Sequence, residues 1–191
     1  MAKNTVKFGL EELHYAIETE DDVYGEWKEW PGAVSMEREP NSEQSNFYAD
    51  DHTYYVVSVD NGYSCTLTCA MIPEDVEKDV LGDSLDPETG IMVESRDSTI
   101  KRIAIGYAIR GDVQKRKFVD YGCILTRPTT TAETTTESAE PQTDEISMTS
   151  VGLRNQPYSR IKSSSTTSEE ILGKSWDKVI MPNDYDELKG A

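Results

Sequence analysis

The chain has 191 residues, a length that suits one domain with extensions better than two full domains. Its 36 Asp and Glu residues against 19 Lys and Arg give a formal net charge of −17, which excludes a protein that binds nucleic acid by neutralising phosphates. Hydrophobic residues make up only 36% of the chain, yet Tyr, Ile and Val recur in alternating runs that a disordered acidic chain lacks, so we expect a folded domain with polar loops and arms.

Neither a signal peptide nor a membrane span is predicted. The start has no apolar stretch of signal-peptide length, and no run of about 18 apolar residues could cross a bilayer. We therefore expect synthesis in a cytoplasm and no membrane insertion. The three cysteines, Cys65, Cys69 and Cys123, are an odd number in a chain too long to need disulfides, which predicts reduced core residues.

The first predicted strand covers residues 6–17, where Leu13, Tyr15 and Ile17 recur with a period of two. Eight acidic residues against one lysine then crowd residues 11–30, which predicts a solvated acidic loop after the strand.

A second strand at residues 33–37 leads into a predicted long polar loop. Residues 39–46 have almost nothing to bury and several side chains that compete for backbone hydrogen bonds. The loop ends in an aromatic segment, and residues 53–59 are strong strand formers. Asp60-Asn61-Gly62 has the composition of a hairpin turn.

The clearest strand follows at residues 63–71. One of its faces is predicted to carry Tyr63, Cys65, Leu67, Cys69 and Met71. Pro73 then opens a short helix of about two turns, and Gly82 ends it.

Two long strands are predicted at residues 99–110 and 115–126, joined as a basic hairpin, and another strand at 145–151. The Thr-rich run 129–137 can be strand or linker, and the pattern leaves both open. We divide the chain into a β-domain at 1–153 and a Ser-rich linker with a C-terminal arm at 154–191, whose tip docks on the domain.

Several short motifs, in order, resemble the major tail tube proteins of siphophages that infect Gram-positive bacteria. They cover most of the chain from residue 6 to residue 150. The motifs are VKFGL at 6–10 with HYAI at 14–17, PGAV at 31–34, FYADD at 47–51, NGY at 61–63, IPED at 72–75 with DVLG at 79–82, and EPQT at 140–143.

The resemblance implies a mainly β fold, a β-sandwich of the tail tube type with one short flanking helix, an extended loop and a C-terminal arm. It implies a structural virion protein, without enzymatic activity or cofactor, that forms homo-oligomeric rings, commonly hexameric, stacked into a hollow tube. The implied partners are further copies of the chain, a tape-measure protein, a distal tail protein, a tail terminator, and DNA that passes through without specific binding.

Two surfaces are predicted to join the copies. The aromatic segment beside the polar loop is expected to pack against the adjacent ring, and the basic hairpin is expected to meet the acidic stretch 18–29 of a neighbour. The candidate contact residues are Asn46, Phe47, Tyr48, Asp50, Asp51, Tyr54, Tyr55, Arg110, Lys115, Arg116 and Lys117. Tyr54 and Tyr55 can equally be core and edge residues of one sheet.

The alternatives are a carbohydrate- or cell-wall-binding module and an enzyme. In the first, exposed Trp27 and Trp30 beside acids would form the binding surface. Catalysis and metal binding are disfavoured because neighbouring acids on a strand point to opposite faces, and Cys65 and Cys69 would lie ~13 Å apart along a strand. The usual phosphate-binding and hydrolase motifs are also missing from the sequence.

Overall fold

The computed structural model describes residues 9–49, 51–112, 115–130, 132, 134, 142–182 and 184, and of residues 47–49 and 53 it describes the backbone. The strands are β1 (Gly9–Glu20), β2 (Val23–Tyr24), β3 (Lys28–Glu29), β4 (Ala33–Ala49), β5 (His52–Cys69), β6 (Ser84–Leu85), β7 (Met92–Val93), β8 (Ile103–Arg110), β9 (Lys117–Leu125), β10 (Asp144–Ser150) and β11 (Arg160–Lys162). The helices are α1 (Glu74–Val76), continued by a π-helical turn (Glu77–Leu81), and α2 (Glu169–Gly173), continued by a 3₁₀ turn (Lys174–Trp176).

The fold is mainly β, as predicted. One nine-stranded sheet has the order β2-β1-β8-β9-β10-β5-β4, with β3 paired to β1 and β11 paired to β9, while β6 and β7 form a separate small hairpin. The strand pairs of the large sheet are antiparallel. Because β1 and β4 also lie close together, the sheet wraps around its core.

The main core lies on the inner face of this wrapped sheet. Inward positions alternate with outward ones along each strand, as the period of two requires. The inner residues are Leu13 and Tyr15 of β1, Cys65, Leu67 and Cys69 of β5, Ile103, Ile105 and Tyr107 of β8, Cys123 and Leu125 of β9, and Ile146 and Met148 of β10. The predicted helix covers part of this core with Val76, Val80 and Leu81.

The C-terminal segment covers the outer face of β1, β8 and β9. Leu153 and Val179 belong to a second buried cluster, and Ile161 and Met181 pack against it. On the same segment, Trp176 lies so close to Gly106 of β8 that a Cβ atom at that position would overlap the indole ring. The strand β11 and the helix α2 in this segment had no sequence prediction. Within the described residues, no helix has the length and apolar character needed to cross a membrane.

The predicted polar loop at 39–46 is wrong. These residues belong to β4, which pairs with β5 from Ala33 almost to the tip of one long hairpin. These polar residues form a strand because the Val- and Tyr-rich partner strand has strong strand propensity and pairs with them along most of their length. The two strands therefore run as far as Ala49 and from His52, and Asp51 lies in the turn between them.

The predicted turn at Asp60-Asn61-Gly62 is also wrong, because these residues lie inside β5. The register of the hairpin shifts between Pro40 and Ser42, opposite this site. Gly62 has φ +84°, and Asp60 Oδ1 accepts a hydrogen bond from the Gly62 N–H. The Asp-Asn-Gly sequence thus forms a bulge that bends the strand, since a left-handed glycine serves a bulge as well as a turn.

Two smaller predictions need correction. The polar stretch after the first strand contains β2 and β3, which pair back onto β1 instead of forming a loop. Met71 lies beyond the end of β5 and is exposed. Residues 6–8 of the first predicted strand, and most of the Thr-rich run, lie outside the described residues.

Candidate assembly surface

The long β4–β5 hairpin extends past the rest of the sheet. β10 pairs with β5 only between Tyr63 and Cys69. Within the described residues, the part of β5 that precedes Tyr63 pairs only with β4, and β4 has no other strand partner along its length. Residues 42–60, here called the distal hairpin, therefore project as a two-stranded ribbon.

The apolar side chains of the distal hairpin are exposed. Their exposed fractions run from 40% to 69%, for Tyr54, Tyr55, Val56, Val57 and Val59. Successive strand residues point to opposite faces, so both faces of the ribbon carry large apolar side chains. An exposed apolar strand with an unpaired edge is the feature that monomeric proteins avoid and assemblies use.

The predicted contact residues of the aromatic segment lie on this ribbon. Asn46 pairs with Val56, and Phe47 and Tyr48 lie near the end of β4, where Phe47 pairs with Tyr55. Asp51 occupies the turn with φ +59°. Tyr54 and Tyr55 are both exposed, so neither is a core residue; their role in contacts between copies stays a prediction. Asp50 lies outside the described residues.

The basic hairpin is less available than the sequence suggests. Arg116 makes an ion pair with Asp112 four residues earlier. Lys117 Nζ lies 3.3 Å from the Glu12 carboxylate and 4.5 Å from the centre of the Trp176 ring.

The other two predicted cations of the basic hairpin differ from Arg116 and Lys117 in their ion pairing. Neither Arg110 nor Lys115 has an ion pair within the described part of the chain. Their charges are thus better placed for another molecule than those of Arg116 and Lys117.

The acidic stretch 18–29 is also engaged within the chain. The Glu18 side chain is buried, with Oε1 3.2 Å from Arg102 Nη1 and Oε2 3.7 Å from Arg154 Nη2. Arg102 also donates a 2.6 Å hydrogen bond from Nη2 to the Gly152 carbonyl. Glu18 therefore ties β1 to the C-terminal segment.

The proposed carbohydrate surface is not formed. Trp30 is 1% exposed and packs edge-on against Tyr15, with ring centres 5.9 Å apart. Trp27 is half-buried, and its ring centre lies 5.5 Å from that of Trp176. The expectation that Trp27 and Trp30 present a flat exposed binding surface is wrong, because the C-terminal arm covers one indole and the core encloses the other.

The cysteines are buried free thiols, as predicted. Burial raises the pKa of the Cys65 thiol to about 11 and raises the pKa of Cys123 well above its ordinary value. Both groups are thus neutral thiols near neutral pH, unsuited to nucleophilic attack. No group of three or more His, Cys, Asp or Glu side chains in the described residues is arranged to hold a metal ion.

One buried ionic cluster has no counterpart in the sequence predictions. Asp120 of β9 is fully buried, and its Oδ1 atom lies 2.9 Å from Arg38 Nε and 3.3 Å from Arg160 Nε. Burial raises the pKa of Asp120, and the two guanidinium groups oppose that rise. The three residues come from β4, β9 and β11, so only the fold brings them together.

No protein-family model matches the chain, and the search of curated proteins finds no relative. Among solved structures, the chain resembles a chain of the anti-feeding prophage baseplate, with 7% identity, 87% of this chain and 100% of that chain covered, and a TM-score of 0.49. It also resembles a chain from the sheath/tube terminator of an extracellular contractile injection system in the extended state, with 9% identity, coverage of 86% and 100%, and a TM-score of 0.47. These similarities concern the course of the backbone.

Proposed function

We propose that the protein is a structural subunit of a siphophage-type tail tube. Copies join into rings, commonly of six, and the rings stack into a hollow tube through which DNA leaves the virion. The tube would surround a tape-measure protein during assembly and end at a distal tail protein and a tail terminator. The single observation that supports the proposal most is the distal hairpin, with apolar side chains exposed on both faces.

The distal hairpin needs a partner to be stable. A two-stranded ribbon alone is marginal in water, because it buries too little apolar surface to offset the entropy of ordering the chain. Burial of apolar surface stabilises by roughly 25 cal/mol per Å², so covering Tyr54, Tyr55 and the three valines would stabilise both the ribbon and the contact. Projecting beyond the sheet, the ribbon can reach an adjacent ring without unfolding its own domain.

The net charge of −17 shapes the contact between copies. Like-charged subunits repel, although salt screens exposed charges over roughly 8 Å at physiological ionic strength. A contact based on apolar surface avoids this repulsion, which agrees with the exposed side chains of the distal hairpin. An acidic channel would also release DNA, since a cationic wall would bind its phosphates.

The proposed role is mechanical and involves no catalysis. The function depends on copy number and contact geometry, so it calls for no cofactor or reactive group.

Negative-stain electron microscopy of the purified protein at increasing concentration tests the proposal. We expect stacked rings or tubes to appear above a threshold concentration. A protein that stays monomeric at every concentration, or that is retained by bacterial cell wall as a monomer, would contradict it.

A shortened hairpin tests the observation that supports the proposal. Replacing residues 43–59 with Asn-Gly joins Ser42 to Asp60, which are paired in the native register, through a two-residue turn. We expect a folded monomer that forms no tubes, checked by circular dichroism and microscopy. As a matched control, Ser58→Thr within the same ribbon should assemble normally. Long tubes from the shortened chain would show that the distal hairpin is not the joining element.

A further inference from the structure

A cavity of about 410 Å³ opens where the wrapped sheet fails to close, between β1 and β4. Its walls come from the start of β1, the edge strand β4, and the adjoining ends of β8, β9 and β11. The lining residues are Gly9, Leu10, Val34, Ser35, Met36, Arg38, Tyr107, Ile109, Phe118 and Arg160. As far as the structure describes it, this lining is apolar apart from Ser35, the Tyr107 hydroxyl and the two arginines, with no acidic side chain.

Among the described residues, the two arginines carry more positive charge than their one acidic partner balances. Both approach the same oxygen of Asp120, at 2.9 Å and 3.3 Å. The Tyr107 hydroxyl accepts a hydrogen bond from Arg160 Nη2. Arg38, Arg160 and Asp120 thus form a cluster with a net charge of +1, in a protein whose total charge is −17.

The guanidinium groups are poorly hydrated. The Arg38 side chain is 12% exposed and the Arg160 side chain 24% exposed. Arg38 Cζ lies 3.2 Å from the centre of the Tyr63 ring, and Arg160 Cζ lies 4.6 Å from that of Phe118. Within the described part of the chain, Arg38 Nη2 is buried without a hydrogen-bond acceptor. An unbalanced cation held away from water is costly, and a carboxylate is its natural partner because two oxygens match the guanidinium geometry.

We propose that this cavity receives the carboxylate of an Asp or Glu side chain from a second copy of the chain. The proposal rests on the proposed function, because it needs copies that meet in an assembly. The methylene groups of the incoming side chain would contact Met36, Ile109 and Phe118, and its carboxylate would reach Arg38 and Arg160.

Two observations favour a second copy as the occupant. The cavity is walled by β4, whose outer edge has no strand partner among the described residues and which continues directly into the distal hairpin, so the cavity adjoins the proposed assembly surface. The chain also has 36 acidic residues against 19 basic ones, so a neighbouring copy presents carboxylates in excess.

A matched pair of substitutions at Ile109 tests the proposal. Ile109 is half-buried in the cavity wall and takes no part in the Asp120 cluster. Ile109→Glu places a carboxylate beside the arginines within the same chain, whereas Ile109→Gln adds a side chain of the same shape without charge. We expect the Glu variant to require at least about 10-fold more protein than the Gln variant to form tubes, since a charge-assisted hydrogen bond between copies is lost.

A second measurement keeps the test informative if the Glu variant does not fold. Sodium benzoate, compared with sodium chloride at the same ionic strength, should raise the concentration at which the unmodified protein forms tubes, because its carboxylate and ring suit the same cavity.

The outcomes separate the two proposals. If the Glu and Gln variants assemble at the same protein concentration, the inference is overturned while the tail tube function stands. If the Glu variant does not fold, the absence of a benzoate effect on assembly overturns the inference in the same way. Failure of the unmodified protein to assemble would instead contradict the proposed function itself, and with it this inference.

Discussion

The two halves of β5 both consist largely of strand-forming residues but have opposite surroundings. In the half nearest the sheet body, Cys65, Leu67 and Cys69 are almost fully buried. In the distal hairpin, Tyr55, Val57 and Val59 also recur with a period of two, and all three are exposed. Strand propensity is high in both halves.

The two halves of β5 differ in whether a second neighbouring strand pairs with them. β10 pairs with β5 up to Tyr63 and no further, and the core side chains end with it. Beyond that point β5 pairs only with β4 among the described residues, and its apolar side chains are exposed. A run of apolar residues therefore specifies a strand, but only neighbouring elements decide whether its faces are buried in a core or exposed.

The largest expected effect comes from the buried half. Leu67→Ala removes a side chain that is fully buried in the main core, and we expect the free energy of unfolding to fall by about 3 kcal/mol because a cavity remains. Urea denaturation of the monomer measures it. A loss below about 1 kcal/mol would mean that the two halves of β5 differ less in packing than their burial indicates.

The boundary between the halves should be the next most sensitive position. Gly62→Ala would bring a Cβ atom into overlap with the Ser150 carbonyl oxygen, at a residue with φ +84°. We expect a loss of about 2 kcal/mol from strain and displacement of β10. Gly90→Ala is the control, because Gly90 has φ +71° and no atom within 4 Å of the added carbon. If both substitutions lower the free energy of unfolding equally, the close approach of β10 to Gly62 does not contribute to stability.

The exposed half should tolerate substitution in the monomer. Val57→Ala is expected to change the free energy of unfolding by no more than about 0.5 kcal/mol, as surface substitutions generally do. The same variant should need more protein to form tubes, because it removes apolar contact area. A monomer destabilised as strongly as by Leu67→Ala would show that the distal hairpin is packed within its own chain.

The last prediction concerns how fast cysteine thiols in the two halves of β5 react, and it involves no change in stability. The buried Cys65 thiol, with its pKa raised to about 11 from a reference of 9.0, should react with a disulfide reagent about 100-fold more slowly than an unperturbed thiol, because its thiolate fraction is reduced. A cysteine introduced by Val57→Cys should react rapidly. Equal rates for the native and introduced thiols at neutral pH would contradict the difference in burial between the two halves.

Much of the fold was predictable where local signals agree. The strand through Cys65, Leu67 and Cys69 follows its alternation, and the helix between Pro73 and Gly82 follows its end signals. The hairpin was mispredicted because Asp60-Asn61-Gly62 has the chemistry of both a turn and a bulge, and the choice depends on pairing with a distant strand.

The candidate assembly surface was also predictable only in part from the sequence. Tyr54 and Tyr55 could be chosen as contact residues from their type and position, and their exposure then decided between core and surface. Arg116 and Lys117 were chosen on charge, but their ion pairs with Asp112 and Glu12 depend on how the strands are arranged.

By itself, the sequence determined the strand-forming segments, the short helix, the reduced cysteines and the acidic character of this protein, because these depend on residue type and on neighbours within a few positions. The tertiary structure alone decided that β4 and β5 extend beyond the other strands of the sheet, that Trp30 is buried, and that Arg38 and Arg160 both form ion pairs with Asp120. Those features depend on contacts between residues far apart in the chain, and such contacts are set by how the whole sheet wraps around its core.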